Sequence, residues 1–421
     1  MQKLITGELL MKAAILAVGD EVVCGDVVNT NASNISSYLN KFGIEAYEHM
    51  AIKDRKKEIK RALKILFKKN KLIVITGGLG PTYDDITKKT VADFFGLNLI
   101  LDENCLERLK SFFESRNKIM TKNNECQCYF PKESIIIPNK NGTAPGVIIK
   151  KDGKIVIMLP GPPSENIPML YESVVTDVLS QSSDYIIEEK ILSFFGIGES
   201  QIADILKNVL QSTKNLSVAT YIKTGEVQIK ITAKAKEKDI CDKMISETKE
   251  KITALVGEYL YSEDNEELEE VLLRLLKEKN KKLITVESCT GGLIGKKITQ
   301  IPGSSENYIG GLITYSNDMK NKLCDVKEDT LKEFGAVSKA TAVEMAEGAL
   351  KYCNADISIS VTGIAGPTGA TEEKPIGLVY IGIATKEMSD AKRFYFSGNR
   401  NNVREQASKN ALYMAIKELN K

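Results

Sequence analysis

The residues best suited to chemistry lie in short polar segments that directly follow apolar stretches of the chain. Ser288 stands in the segment ESCTGG, between the apolar stretch LITV and a helical pattern. A serine at such a turn lies beside backbone N–H groups, as a nucleophile beside an oxyanion hole does, although capping the helix explains the hydroxyl equally well. A serine nucleophile requires a base. The single histidine, His49, lies two predicted domains away, which leaves Lys320 in the segment YSNDMK as the nearest base.

A lysine acts as a base only when its pKa is depressed, so Lys320 is expected to be partly buried against apolar walls or near other cations. Cys289 is a second candidate nucleophile, but the sequence offers no obvious partner to activate it. The segment VTGIAGP follows a further predicted strand and suits close contact between the backbone and a polar ligand. Arg400 and Arg404 open the last predicted helix, where they either reach a phosphate or are simply solvated.

A different chemistry is indicated in the first half of the chain, where the apolar stretch LIVIT runs into TGGLGPTYDDIT. Glycines let backbone N–H groups approach an anion, and the start of the following helix favours negative charge. Two carboxylates, Asp84 and Asp85, would repel a phosphate unless a divalent cation lay between them. The sequence therefore predicts a metal-assisted phosphate site, with helix capping as an equally weighted alternative for both aspartates. It contains neither the P-loop nor the Rossmann motif.

A polar cluster after the first apolar strand belongs to the same prediction. In open α/β sheets, ligands bind outside the carboxyl ends of the strands, so two such loops would face one crevice. The turn-forming segments GTAPG (142–146) and PGPP (160–163) bracket one hairpin-like segment and are interpreted as loops, with a ligand rim as the weaker alternative. Apart from the two aspartates, the residues predicted to form this site are Gly19, Asp20, Glu21, Asn29, Gly77, Gly78 and Gly80.

The elements that must hold these segments alternate between strands and helices. Over residues 12–95, this spacing predicts a parallel sheet covered by helices on both faces, in a doubly wound α/β fold. Residues 186–260 instead predict a small α+β unit with a hairpin at Thr224-Gly225, and the acidic segment 262–270 is predicted to open a helix that runs through Leu276. The chain is divided into an extension (1–10) and three domains (11–182, 183–261 and 262–421), of which the last is again α/β.

Composition excludes several classes of function. The 421 residues carry 58 Lys+Arg against 56 Asp+Glu, so no overall basic field favours nucleic acid or a membrane as a partner. A basic stretch over residues 53–71 lacks interleaved aromatics and is interpreted as a solvated helix face. One histidine rules out a His-cluster metal site, and eight cysteines without a CxxC pair indicate reduced thiols in the cytoplasm. Neither a signal peptide nor a membrane span is expected.

Taken together, these segments resemble the CinA-type (competence/damage-inducible protein) family over residues 11–421. VGDE, TGGLGPTYDD, GTAPG and LPGPP are similar to its molybdopterin-binding-like N-terminal domain, and FGIGES with GEVQIKITA to its middle domain. ESCTGGL, PGSS, GGLITYSNDMK, GAVS, VTGIAGPTGAT and GNRNNVR are similar to its C-terminal deamidase domain. One departure is CQCY at 126–129, where the family usually carries a Lys-Gln-Ala type of segment that would supply a basic contact.

The resemblance implies two activities and a homodimer. The C-terminal domain would hydrolyse nicotinamide mononucleotide to nicotinate mononucleotide and ammonia without a cofactor. The N-terminal domain would hydrolyse ADP-ribose with a divalent metal (Mg, Mn or Co) at Asp84 and Asp85. In the deamidase domain, the resemblance implies Ser288 as nucleophile, Lys320 as base and Tyr315 as a third catalytic residue. The implied substrate-binding residues are Thr290, Gly291, Gly292, Thr362, Gly363, Arg400 and Arg404.

In this mechanism, backbone N–H groups near Gly291 and Gly292 are expected to stabilise the oxyanion. Two other classes of function compete with it: a nucleotide- or molybdopterin-binding module without catalysis, and a DNA-associated competence factor. The presence of the expected site residues weighs against a module that has lost catalysis; these are Ser288, Tyr315, Lys320 and Thr362. The near-neutral charge and the lack of a groove-reading motif weigh against DNA binding.

Overall fold

The computed structural model describes residues 11–181, 185–210, 213, 215–223 and 225–421. The predicted extension 1–10, the predicted boundary at 182/183 and Thr224 of the predicted hairpin lie outside the described residues. By residue contacts the chain divides into two compact units, one containing the N-terminal domain and the other residues 247–421, with the middle domain shared between them. Among the described residues, none of the helices combines the length and the hydropathy that crossing a bilayer requires.

The N-terminal domain is formed by the elements of residues 11–181. Its strands are β1 (Met11–Val18), β2 (Ile44–Ile52), β3 (Leu72–Thr76), β4 (Leu99–Leu101), β5 (Tyr129–Pro131), β6 (Ile135–Ile137), β7 (Gly146–Lys151) and β8 (Lys154–Leu159). Its helices are α1 (Asp20–Cys24), α2 (Thr30–Asn40), α3 (Lys56–Leu66), α4 (Thr87–Phe95), α5 (Glu103–Glu114), a 3-10 helix (Lys122–Cys128), α6 (Pro163–Leu170) and α7 (Ser173–Ser180).

The main sheet of this domain has the order β2-β1-β3-β8-β7-β6, and β4 pairs separately with β5. Strands β2, β1, β3 and β8 are parallel, whereas β7 and β6 are antiparallel to their neighbours. The parallel sheet predicted over residues 12–95 is therefore confirmed for β1, β2 and β3, and the antiparallel strands lie after that range. Only Asp152 and Gly153 join β7 to β8, both at positive φ, and a two-residue hairpin of this kind can connect only antiparallel strands.

Helices cover both faces of this sheet, which confirms the doubly wound architecture. Successive residues of β1 point to opposite faces, so that Leu16 packs in one cluster with Ile59 and Leu63 of α3, and Ile15 packs in another with Ile35 of α2. Helix α3 buries residues spaced three and four apart, and its basic residues lie mainly on the solvent side.

The middle domain is a four-stranded sheet with two helices. Its elements are β9 (Ile186–Phe195), α8 (Glu199–Ile205), β10 (Leu216–Lys223), β11 (Glu226–Ala235), α9 (Lys238–Val256), a 3-10 helix (Gly257–Tyr259) and β12 (Leu260–Ser262). The strand order is β10-β11-β9-β12. The acidic segment that was expected to open a helix at residue 262 instead begins as the end of β12, because Ser262 pairs with Ser193 of β9.

The C-terminal domain has a five-stranded sheet in the order β14-β13-β15-β16-β17, in which β14, β13 and β15 are parallel and β16 and β17 antiparallel. Helices α10, α11 and α15 pack on one face of the sheet, and α12 and α14 lie on the other. The elements are α10 (Leu268–Glu278), β13 (Leu283–Glu287), α11 (Leu293–Thr299), a 3-10 helix (Ser304–Glu306), β14 (Tyr308–Ile313), α12 (Asn317–Cys324), α13 (Glu328–Glu333), α14 (Lys339–Cys353), β15 (Ile357–Gly363), β16 (Leu378–Thr385), β17 (Ser389–Tyr395) and α15 (Arg400–Leu419).

Candidate functional site

The predicted nucleophile and base of the C-terminal domain lie in direct contact. Ser288 follows β13, and its N–H donates to the carbonyl of Val361 at 2.9 Å, which ties the loop to β15. Lys320 lies on α12, a helix that sequence reasoning missed, whose first turn is capped by Ser316 accepting from the N–H of Met319 at 3.2 Å. The Nζ atom of Lys320 is 3.1 Å from Oγ of Ser288, and both side chains are buried.

The surroundings of Lys320 favour its neutral form. The side chain is 1% exposed, and burial lowers the pKa of its amine below the ordinary value of 10.5. Besides Ser288, Nζ contacts two backbone carbonyls, those of Thr314 at 2.8 Å and Tyr315 at 3.5 Å. A neutral amine has two N–H groups and one lone pair. In the neutral amine, N–H groups donated to the two carbonyls would leave the lone pair for the serine hydroxyl, which is the arrangement that a base requires.

A buried carboxylate that sequence reasoning missed holds the loop after Ser288. Glu287 is 1% exposed, and its carboxylate accepts the N–H of Gly292 and that of Gly295, each at 2.9 Å. The N–H of Gly291 donates to the carbonyl of Ser288 at 3.2 Å. The N–H groups of Gly291 and Gly292 themselves are therefore not free for an oxyanion, and the expectation of a donor near these glycines depends on the neighbouring N–H groups. An acidic residue at the end of a strand, just before a helix, was the available signal.

Thr290 offers an unengaged donor in this loop. Its N–H has no hydrogen-bond partner in the described part of the chain, and its buried Oγ1 likewise has none. The carbonyl of Thr290 accepts from Nη2 of Arg404 at 2.6 Å, which fixes the peptide unit. The loop therefore presents a free backbone donor two residues after Ser288.

Two predicted arginines lie beside the serine loop at the start of α15. Nη1 of Arg400 donates to the carbonyl of Gly366 at 2.8 Å, and Nη2 is 3.3 Å from the hydroxyl of Tyr315. Neither Arg400 nor Arg404 lies within ion-pair distance of a carboxylate among the described residues. Tyr315 is 64% exposed, so its ring lies at the rim of the site rather than beside Ser288.

Thr362 and Gly363 lie at the end of β15, next to the strand that leads to Ser288. The hydroxyl of Thr362 donates to the carbonyl of Ala336 at 2.7 Å, which anchors the segment before α14. A Cβ atom on Gly363 would lie 2.7 Å from the carbonyl oxygen of Leu378, so only glycine fits there. In the structure both residues support the walls of the site.

A separate cleft of about 340 Å³ lies at the carboxyl ends of β1, β3 and β8 in the N-terminal domain. It brings together segments that the sequence had marked as two loops and two turn clusters. The predicted residues that line it are Gly19, Glu21, Gly77, Gly78, Gly80, Asp84 and Asp85, joined by Thr143, Ala144, Pro160, Gly161 and Pro162. The predicted crevice is present, and the turn clusters form part of its wall.

Close backbone contact explains one of these glycines. Gly77 has a φ of 96°, and a Cβ there would lie 2.1 Å from the carbonyl oxygen of Val18. Its N–H donates to the carbonyl of Leu159 at 3.0 Å. Gly77 thus lets the ends of β1, β3 and β8 meet at one edge, which is what creates the cleft.

The charge of the cleft is acidic throughout. Its charged lining residues are Glu21, Asp54, Asp84, Asp85 and Glu165, and no lysine or arginine of the described chain lines it. Burial raises the pKa of Asp54, and the neighbouring carboxylates raise it further. The N–H of Asp20 donates to this carboxylate at 3.1 Å, which offsets part of the rise. Asp54 was missed by the sequence reading, although it lies two residues after the end of β2, much as Gly19 directly follows β1.

The carboxylates of the cleft fit a hard divalent cation, such as Mg²⁺, that is held partly by protein and partly by a bound substrate. Oδ2 of Asp85 accepts from both the N–H and the hydroxyl of Thr82, at 2.9 and 2.5 Å, so this carboxylate also caps a turn. No cluster of three or more His, Cys, Asp or Glu side chains suited to a metal is found in the described residues. Mg²⁺ typically uses one or two carboxylates, with water and substrate phosphate completing its shell. Asp84 together with Asp54 or Asp85 provides that number.

Two residues predicted for this cleft have other roles. The side chain of Asn29 accepts from the N–H of Ala32 at 3.1 Å and caps α2, so its oxygen is not available to a ligand. Asp20 is exposed and does not line the cleft. Its contribution is its backbone N–H, which donates to the carboxylate of Asp54. Asn31 reaches the cleft wall instead, donating to the carbonyl of Gly161 at 2.7 Å.

The fold and the two sites define a three-domain α/β protein with a buried serine–lysine pair in one domain and an acidic cleft in another. Family profiles match residues 14–180 as "Probable molybdopterin binding domain", 189–262 as "Damage-inducible protein CinA KH domain" and 265–419 as "CinA C-terminal domain". The chain belongs to the CinA family, whose recognition from sequence is thereby confirmed. The exact domain boundaries remain predictions.

Similar proteins span nearly the whole chain. A protein named competence-damage inducible protein in Caldicellulosiruptor saccharolyticus is 47% identical over 96% of this chain and 98% of its own length. A CinA-like protein of Dictyoglomus turgidum is 44% identical over 96% and 98%. A crystal structure of competence/damage inducible protein from Agrobacterium tumefaciens is 38% identical, covering 37% of this chain and 96% of its own, with a TM-score of 0.35.

Proposed function

We propose that the C-terminal domain is an amidohydrolase that converts nicotinamide mononucleotide to nicotinate mononucleotide and ammonia. The observation that carries this proposal is the contact of 3.1 Å between Nζ of buried Lys320 and Oγ of Ser288. A serine activated by a neutral amine is a nucleophile for a carboxamide. Cys289 is a poor competitor, because burial raises the pKa of its thiol to about 12 and keeps it protonated.

In the first half of the reaction, Oγ of Ser288 attacks the carboxamide carbon while Nζ of Lys320 takes the hydroxyl proton. The developing oxyanion accepts a hydrogen bond from the free N–H of Thr290. The C–N bond then breaks, and the leaving nitrogen takes the proton from Lys320 and departs as ammonia. The product of this half is an ester between Ser288 and the nicotinate carbonyl.

In the second half, water attacks the ester carbon and gives its proton to Lys320. Collapse of the tetrahedral adduct breaks the ester bond, and the proton returns to Oγ of Ser288. Arg400 and Arg404 lie beside this loop without carboxylate partners in the described chain, which suits them to bind the phosphate of the nucleotide. No metal or cofactor takes part in these steps as we propose them.

Ammonia release from nicotinamide mononucleotide by the purified full chain tests this proposal. We expect turnover by the natural chain and its loss in Ser288→Ala. Cys289→Ala is the matched control, since it changes the neighbouring buried residue and is expected to retain turnover. Activity in Ser288→Ala comparable to that of the natural chain would exclude the serine mechanism.

We infer a second activity, metal-dependent hydrolysis of ADP-ribose, for the N-terminal domain. It is favoured by the acidic cleft, where carboxylates line the wall and no basic side chain of the described residues does. A bare pyrophosphate would be repelled there, so a divalent cation is needed, and it would neutralise phosphate charge and polarise the P–O bonds. Asp84, with Asp54 or Asp85, would hold it, while Gly77 and Gly78 leave room for the ligand.

Hydrolysis of ADP-ribose with added Mg²⁺, Mn²⁺ or Co²⁺ distinguishes this activity from a binding module without catalysis. We expect AMP and ribose 5-phosphate as products, and at least a tenfold loss of rate in Asp84→Asn, since mutation even of the outer-shell partners of a metal site costs about 10–100-fold. Binding of ADP-ribose without turnover under all three metals would support the module instead. A cytoplasmic homodimer remains part of the proposal, and sedimentation of the purified chain checks the dimer.

A further inference from the structure

A second pocket adjoins the acidic cleft and differs from it in charge. It has a volume of about 320 Å³ and shares the loop Gly78–Gly80 and Asp85 with the cleft. Three lysines line it, whereas no lysine or arginine of the described residues lines the cleft. Its remaining walls are Lys88, Lys89, Leu99, Lys122, Glu125, Cys126 and Tyr129.

One of these lysines is buried without a counter-charge. Lys88 is 7% exposed, and its Nζ donates to the carbonyl of Gln127 at 2.7 Å while lying 4.5 Å from the ring centre of Phe130. In the described part of the chain no carboxylate lies within ion-pair distance of it. An ammonium group has three N–H donors, and the carbonyl of Gln127 uses one.

Burying an ammonium group without a carboxylate is costly, which is why burial lowers the pKa of Lys88 to about 8. The amine is still mainly protonated at neutral pH. The titratable groups that act on it are the thiols of Cys105, Cys126 and Cys128, not carboxylates. A cation held in this way at the wall of a pocket is poised to gain an anion from a ligand.

We propose that this pocket is an anion-binding subsite, in which Lys88 binds a phosphoryl group and Lys89 and Lys122 add positive charge at the rim. Because the pocket and the cleft share Gly78–Gly80, the group would belong to the nucleotide whose metal-bound part lies in the cleft. This last step rests on the proposed function of the N-terminal domain, whereas the anion subsite itself does not.

The test uses inorganic pyrophosphate and the full chain in the presence of a chelator. Without a divalent cation the acidic cleft repels pyrophosphate. Binding at Arg400 and Arg404 does not depend on the lysines of the pocket, so the part of the calorimetric signal that a lysine variant removes reports the pocket. We expect binding by the natural chain and a loss of affinity of about tenfold or more in Lys88→Met, which keeps the length of the side chain but not its charge. Lys64→Met, an exposed lysine of α3, is the matched control and is expected to bind as the natural chain does.

Lys122→Glu provides a second measurement at the exposed rim of the pocket, where folding is not at risk. We expect it to weaken pyrophosphate binding several-fold. Unchanged affinity in both variants, or no binding by the natural chain, would overturn the proposal and leave Lys88 as an anchor for Gln127. Lys88-dependent pyrophosphate binding in a chain that does not hydrolyse ADP-ribose would support the subsite and refute only the proposed activity.

Discussion

Replacing Lys320 tests whether this residue acts as a base or only supports the structure. The amine contacts the hydroxyl of Ser288 and the carbonyl of Thr314, and within the described residues no carboxylate lies close enough to neutralise its positive charge. Lys320→Met keeps the buried volume and removes only the amine, so we expect the fold to be retained. Loss of general acid–base catalysis lowers the turnover of an enzyme by about 10²–10⁴. Because Ser288 and Lys320 act as a unit, the double variant Ser288→Ala/Lys320→Met should lose little more than either single variant.

The pH dependence of turnover is the second part of this prediction. Burial lowers the pKa of Lys320, so the amine loses its proton at a lower pH than an exposed lysine does. Since the protonated amine cannot act as a base, kcat/KM of the natural chain is expected to rise with pH until this pKa, below 10.5, has been passed. Lys320→Met should lack the rise, and a small primary amine added to Lys320→Ala should restore part of it.

Ammonia release measured between pH 6 and 10 provides the assay. Lys322→Met is the matched control, since Lys322 lies on the same helix but is exposed and paired with Asp318 at 2.9 Å. It should keep both the rate and the pH profile. The reasoning would be refuted if Lys320→Met retained the rise with pH, or if the two single losses multiplied in the double variant.

Three further predictions concern the metal of the N-terminal domain, the phosphate site of the C-terminal domain and the buried Lys88. A chelator should abolish ADP-ribose hydrolysis and leave deamidation unchanged, as parallel assays on one sample will reveal. Arg400→Met should raise KM for nicotinamide mononucleotide about tenfold but not KM for the riboside, which lacks the phosphate. The pKa of Lys88 is lowered by burial to about 8 in the folded protein, against 10.5 in the unfolded chain, a difference that corresponds to about 3 kcal/mol. Between pH 8 and 10.5 the folded protein has lost this proton while the unfolded chain still holds it, so the free energy of unfolding should rise by up to that amount. Amide exchange in α4 should detect this rise relative to Lys88→Met, in which the facing thiols of Cys105, Cys126 and Cys128 remain.

The location of both sites was predictable because of how parallel strands are arranged. The carboxyl ends of such strands share one edge, so glycine-rich segments after β1 and β3 had to lie close together. The pairing of Ser288 with Lys320 followed from the types of residue available, since the chain has one histidine and it lies elsewhere. These inferences needed only the order of elements and the chemistry of side chains.

The features that escaped prediction depend on contacts between distant segments. Helix α12 shows little apolar periodicity, because one of its buried residues is Lys320 itself, and only the N-cap Ser316 signalled its start. The N–H of Gly292 donates to the carboxylate of Glu287, a hydrogen bond that depends on a side-chain orientation the sequence does not specify. By contrast, the hairpin of β7 and β8 has a local cause in the turn at Asp152 and Gly153, and the turn-forming clusters on either side of it did indicate a hairpin.

Among the residues that the structure describes, two lysines are buried with their amines on backbone carbonyls, and their remaining neighbours differ. For Lys320 the third neighbour is the Ser288 hydroxyl, a proton donor that gains from a neutral amine. For Lys88 the remaining neighbour is the face of Phe130, whose negative potential favours a cation. Burial lowers the pKa of both amines, but only beside Ser288 does the neutral form gain a hydrogen bond. Burial alone therefore does not distinguish the two lysines, and our proposals of a base at Lys320 and of an anion-binding cation at Lys88 rest on these different neighbours.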